Sequence, residues 1–151
     1  MNKNDLPVII LKGLVLLPLS DARIELNNDI TKKVIDISKE EYDNYCLVVS
    51  PIESLEEMPD TNDLPSVSVL CKINSRIDLP NGNTRIVLSA IKRVMVLKYY
   101  NTKKIDNILF AKVTSFPLNT NSEIKETALF RTLLKELEHY ISVNPNISNS
   151  I

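Results

Sequence analysis

The sequence predicts an α+β domain that is mainly β, with one early helix, followed by a C-terminal helical extension. Three observations carry that prediction. First, through about residue 118 most apolar residues come in short runs or alternate with polar ones, as strands do. Second, the chain holds only two glycines, and one of them stands in "DLPNGNTRIVL" between two alternating runs. That is a hairpin signal, because Asn and Gly accept positive φ at little cost. Third, from Ser122 the apolar period becomes helical. The expected organisation is a β-rich domain over 1–119 and the start of a helical extension over 120–151.

Each element follows from local chemistry. Residues 6–19, "LPVIILKGLVLLPL", are almost all apolar. An export signal is disfavoured by Asp5, Pro7 and Lys12, and no small-residue cleavage site follows. A membrane helix needs roughly 20 apolar residues, and Pro7, Gly13 and Pro18 would damage any helix here. Two short strands bent at Lys12-Gly13 fit the breakers. In "NNDITKKVIDISKEEYDNY", Asn27, Asn28 and Asp29 offer N-caps, and Ile30, Val34 and Ile37 repeat at helical spacing. Tyr45–Ser50 reads as a short buried strand, and the acidic, proline-bounded residues 51–65 as a surface loop. Val67–Ile77 and Thr84–Tyr99 are the two arms of the hairpin. The second arm is too long for a flat strand, which predicts a bulge or bend near Ala90–Lys92. Asn107–Leu118 is a further strand, stopped by Pro117. In the tail, Ser122 is an N-cap candidate, and Phe130, Leu133, Leu134, Leu137 and Ile141 share one helical face.

Composition narrows the function classes. Eighteen basic against nineteen acidic side chains leave a net charge of −1, with no basic bias to attract nucleic acid. Cys46 and Cys71 have no C-x-x-C spacing, so two buried thiols are the plain reading, rather than a disulfide framework or a zinc site. Two glycines cannot build a phosphate-cradling loop. The lone His139 has no partner at metal-ligand spacing, and the acidic runs at Glu40-Glu41 and Glu53–Asp63 read as solvated charge. A Ser–Lys pair leaves no signature in spacing. No catalytic, metal or cofactor residue is assigned.

The residues that point somewhere are distributed along the whole chain. Leu6-Pro7, Leu11, Lys12-Gly13, Val15 and Pro18, then "CLVVS", "DLPSVSVLCKI" and "LPNGNTRIVLSAIKRVMV" with Arg93, resemble the N-terminal domain of Lon proteases. The tail "LLKELEHYISVNPNI" is similar to the linker helix that follows that domain. The chain departs from the family's pattern where Ser68 and Ala90 replace glycines, where Asn81 replaces the common Asp, and at Asn27. The resemblance implies a compact PUA-like β-barrel or sheet domain that captures unfolded or damaged protein substrates and supports homo-hexamer assembly. It implies no ATP or peptide hydrolysis in this chain. ATP and Mg belong to an ATPase module of the parent serine protease, absent here, and the chain is expected to end within the linker.

A capture domain needs exposed apolar surface. Two places are candidates: Leu17, Pro18, Leu19 and Ile24 on the second N-terminal strand, and Leu55, Met58 and Leu64 in the following loop. The competing reading is burial, and strand alternation favours core positions for Leu17 and Leu19. Phe130, Leu134, Leu137 and Ile141 are the candidate contacts with other subunits. Three alternatives stand beside this reading: a standalone Lon-type binding module, a pure oligomerisation element, and a PUA-like RNA binder. The low aromatic content and near-neutral charge disfavour the last. No nucleic acid and no membrane are expected as partners, and the expected compartment is the cytoplasm.

Overall fold

The computed structural model describes residues 5–51, 61–101, 108–117 and 123–144. Two compact units divide the chain, residues 1–116 and residues 117–151. Six strands and a helix build the first: β1 (Asp5–Ile10), β2 (Asp21–Leu26), α1 (Asp29–Glu41), β3 (Tyr45–Val49), β4 (Val67–Asp78), β5 (Thr84–Asn101) and β6 (Leu109–Ser115). In the second unit, α2 spans Glu123–Val143.

The strands are ordered β2-β5-β4-β3-β1-β6, and β6 also pairs with β5. Pairing therefore runs from β5 through β4, β3, β1 and β6 and back to β5, a closed ring with β2 attached outside it. Closure is possible because β5 is long enough to serve two partners along one edge. Thr84–Ser89 pair with β2, whereas Val94–Asn101 pair with β6. Between those stretches the strand must re-aim, and it does so at the expected place. Leu70 faces Lys92 but Cys71 faces Ala90, so Ile91 is the extra residue of a bulge.

Parallel pairing of β1 with β3 is the interior of the unit. Both strands are apolar on both faces, as parallel strands generally are. Ile9, Cys46 and Val48 enter one core with Val34 and Ile35 of α1, and with Ile86, Leu88 and Ala90 of β5. Leu6, Val8, Leu47 and Val49 enter a second core with Val94, Leu109 and Val113. The alternation expected in β5 is realised, with Ile86, Leu88 and Ala90 buried.

Of the three cap candidates, Asn28 caps α1: its Oδ1 accepts from the amides of Ile30 at 2.8 Å and Thr31 at 3.3 Å. The helix turns its buried face through Val34, Ile35 and Ser38, with Ile37 packed at the margin of the core. It ends where Asp43 and Asn44 adopt φ of 51° and 66°, and both Tyr42 and Asn44 return their amides to the Ser38 carbonyl. The Ser122 cap lies outside the described residues.

One expected element is absent. Residues 14–19 do not form a second strand, and regular pairing resumes only at β2. Gly13 at φ +68° and Leu19 at φ +66° each turn the backbone out of an extended path. The segment's main-chain bonds accordingly go to scattered partners and not to a ladder.

Candidate functional site

The irregular segment 11–20 is an ordered loop pinned at several points. The Leu11 amide donates to the Val49 carbonyl at 2.9 Å, and the Ser50 hydroxyl donates to the Leu14 carbonyl. At the far end the Leu19 amide donates to the Ala90 carbonyl, and the Ala90 amide donates back to Ser20, both at 2.8 Å. Ser20 closes a local turn through its hydroxyl on the Leu17 carbonyl at 2.6 Å. Leu11 enters the core at the start of the loop, and among residues 14–19 Leu16 alone does so; Leu14, Val15, Leu17 and Leu19 face outward, Leu17 at 68% exposure and Leu19 at 93%.

That arrangement corrects the core placement expected for Leu17 and Leu19. The alternation argument presupposes a strand, and without one a single peg, Leu16, satisfies the core. The left-handed backbone at Leu19 serves the fold, because Leu19 and Ser20 together oppose Ala90 in the manner of a β-bulge, but its leucine side chain does not. Leu19 holds a left-handed backbone that disfavours side chains other than glycine by about 1–2 kcal/mol, while its side chain packs against almost nothing. Strain and exposed apolar surface at the same residue are features that stability alone would remove. Pro18 is half-buried beside them.

The remaining expected contacts divide. Ile24 lies half-buried against the first core. Leu64 is a correction: it is 7% exposed and belongs to the second core. A 3₁₀ turn at Thr61–Asp63 leads into it, and the Val96 amide donating to Ser66 and the Tyr99 hydroxyl donating to Pro65, at 2.8 and 2.7 Å, hold that stretch against β5. Burial raises the Tyr99 hydroxyl above its ordinary pKa. Leu55 and Met58 lie outside the described residues. Along α2, Phe130, Leu134 and Leu137 are exposed at 60%, 41% and 38%, and Ile141 is partly exposed.

Two other places among the described residues gather groups with chemical potential. Cys46 and Cys71 are free, buried and directly opposite each other on β3 and β4. Burial pushes both thiols up, Cys71 to about 12, which keeps them protonated and unreactive. A cleft of about 520 Å³ between α1 and β4 is lined by Asp36, Lys39, Asn74, Arg76 and Asp78. Arg76 bonds both Asp36 and Asp78 there. Desolvation would lower that guanidinium, but its hydrogen bonds to Asp78 and Asp36 outweigh it and hold the charge. Asp78 is held below the usual carboxylate range first by the Thr84 hydroxyl and then by Arg76. The guanidinium, shared between one carboxylate on the helix and one on the strand, makes a brace between helix and sheet. Among the described residues no three His, Cys, Asp or Glu side chains converge as a metal site. No described helix is long and apolar enough to cross a membrane.

Comparison with known proteins agrees with the β-rich fold of this unit. The model of the ATP-dependent protease La (LON) substrate-binding domain matches residues 5–151. A Lon protease of Bacillus thuringiensis (strain Al Hakam) is 24% identical over 99% of this chain, which spans 18% of that protein. One from Clostridioides difficile (strain 630) is 25% identical over 98% of this chain and 19% of its own length. The chain thus spans about a fifth of the curated relatives it matches. Among solved structures, the N-terminal domain of a Mycobacterium avium complex Lon protease superposes with a TM-score of 0.62 at 20% identity, covering 90% of this chain and 70% of that one. A Lon N-terminal domain protein from Xanthomonas campestris gives 0.57 at 15% identity, covering 86% and 73%.

Proposed function

The chain belongs to the ATP-dependent protease La (LON) substrate-binding domain family, and from that premise we propose that it captures unfolded or damaged protein segments through the 11–20 loop. Leu17 and Leu19, with Pro18 between them, are the contacts. The observation that carries this reading is the combination at Leu19 of 93% exposure with a left-handed backbone. An apolar, pinned loop accepts many side chains without demanding one sequence, which suits a binder of unfolded chains.

In this reading the chain works as the N-terminal part of a cytoplasmic ATP-dependent serine protease. ATP and Mg serve other modules of that protein, and neither cofactor nor nucleic acid is bound here. The exposed face of α2 at Phe130, Leu134, Leu137 and Ile141 meets neighbouring subunits of a homo-hexamer. Several copies on a ring raise effective concentration, so feeble capture by one copy becomes useful avidity.

The test is binding of the full 151-residue chain to a reduced, carboxymethylated protein that cannot refold, beside its native counterpart. Preference for the unfolded form, weakened in a Leu17→Ser/Leu19→Ser variant of unchanged thermal stability, is the expected result. Equal or absent binding to both forms at high concentration would overturn the reading.

A further inference from the structure

β2 has a partner on one side only. β5 covers one edge, and among the described residues no strand pairs with the other. The direction of its main-chain groups follows from one bond. The Ala90 amide donates to the Ser20 carbonyl, one residue before the first paired residues Asp21 and Ser89, so Ser20 and Ala90 turn those groups toward each other and set the phase of the ladder. In an antiparallel ladder such pairs recur at every second residue. Ala22, Ile24 and Leu26 therefore aim their amides and carbonyls at β5, while those of Asp21, Arg23 and Glu25 point along the open edge. Six residues of strand offer roughly 20 Å of such edge.

We propose that the open edge of β2 takes up an extended segment of an unfolded protein as an added strand. This deepens the capture reading and rests on it. The occupant's chemistry is fixed by what the edge presents: alternating main-chain donors and acceptors, which only another extended main chain matches. The exposed side chains of the strand, Asp21, Arg23 and Glu25, mix both signs and select no single charge. The chain enters β2 directly from Leu17, Pro18 and Leu19, so a segment running along the edge reaches the apolar loop at its end. Main-chain bonds give sequence-independent affinity, and the loop adds apolar contact.

The test uses the full chain and the same carboxymethylated protein, with a short extended apolar peptide as second ligand. Arg23→Pro removes one outward amide and places a ring on the edge, where proline is tolerated because no ladder bond is lost. Arg23→Ala removes the same charge and keeps the amide. Arg23→Pro is expected to weaken binding by about tenfold while Arg23→Ala changes it little. Methylating alternate peptide nitrogens is expected to abolish peptide binding in one of the two phases and spare it in the other; this arm stands even if Arg23→Pro unfolds. Binding by the parent chain that ignores both perturbations would overturn the edge site and leave the capture reading standing. No binding by the parent chain would remove the capture reading itself. A concentration-dependent mass that Arg23→Pro abolishes would assign the edge to a second copy and overturn the proposal.

Discussion

Replacing Leu19 by glycine is expected to make the protein more stable and a poorer binder at once. The backbone there, at φ +66°, costs an L-residue about 1–2 kcal/mol that glycine does not incur. Little opposes the gain in the folded state. At 93% exposure, losing the leucine side chain forfeits at most about 0.2 kcal/mol of burial. The opposing effect is in the unfolded chain, which gains freedom worth about 0.4–1 kcal/mol when glycine is introduced. The balance is a stabilisation of about 0.5 kcal/mol, or about 2 °C in Tm. Urea denaturation followed by circular dichroism measures it, with Leu19→Ala as control because alanine keeps the strain. Both variants remove the apolar contact, so both are expected to bind the carboxymethylated protein severalfold more weakly than the parent chain. A Leu19→Gly variant destabilised by more than about 1 kcal/mol would refute the strain argument. Unchanged binding in both variants would refute the role given to Leu19.

Three further outcomes are expected. Leu88→Ala empties a fully buried position of β5 and should cost about 3 kcal/mol in chemical denaturation, whereas exposed Leu97→Ala should cost under about 0.5 kcal/mol. Cys46 and Cys71 should resist a thiol-reactive chromophore in the folded protein, with labelling that keeps pace with global unfolding; rapid labelling without unfolding would contradict their burial. Asp78 and Glu25 have folded pKa values below their ordinary 3.8 and 4.5, so their contribution to stability is complete above those values and is lost as pH falls through the lower folded ones. Asp78→Asn should therefore flatten the acid limb of the stability–pH curve, and an unchanged limb would remove the Thr84–Asp78–Arg76 linkage from the account.

What could be read from the sequence depended on how local the determining interaction is. The β4–β5 hairpin was legible to within about two residues at each outer end, because Pro-Asn-Gly sets its turn and alternation sets its faces. The bulge at Ile91 was legible from length alone, although its cause was not: the edge of β5 changes partner there, from β2 to β6. Residues 14–19 misled because an apolar run implies burial only if something covers it. Their placement is decided by Val49, Ser50 and Ala90, distant residues whose carbonyls and hydroxyl fix the loop. Leu64 misled in the opposite sense, since proline and acidic neighbours mark a surface loop while the Tyr99 and Val96 bonds draw its end inward. Ring closure and the open edge of β2 are properties of strand pairing, and no single segment carries them.

The place of β1 in the ring has a consequence for how the protein comes into being. β1 is made first, yet one of its two neighbours is β6, with Asp5 opposite Lys112. A chain still emerging from the ribosome can form the local β4–β5 hairpin, but it cannot shut the ring until Leu109–Ser115 has appeared. Until then one side of β1 and the far half of β5 stand unpaired, and the ordering cost of joining such remote segments is still to be met. The nascent unit thus exposes, for the time it takes to make its last strand, the same kind of unsatisfied strand margin that marks an unfolded protein.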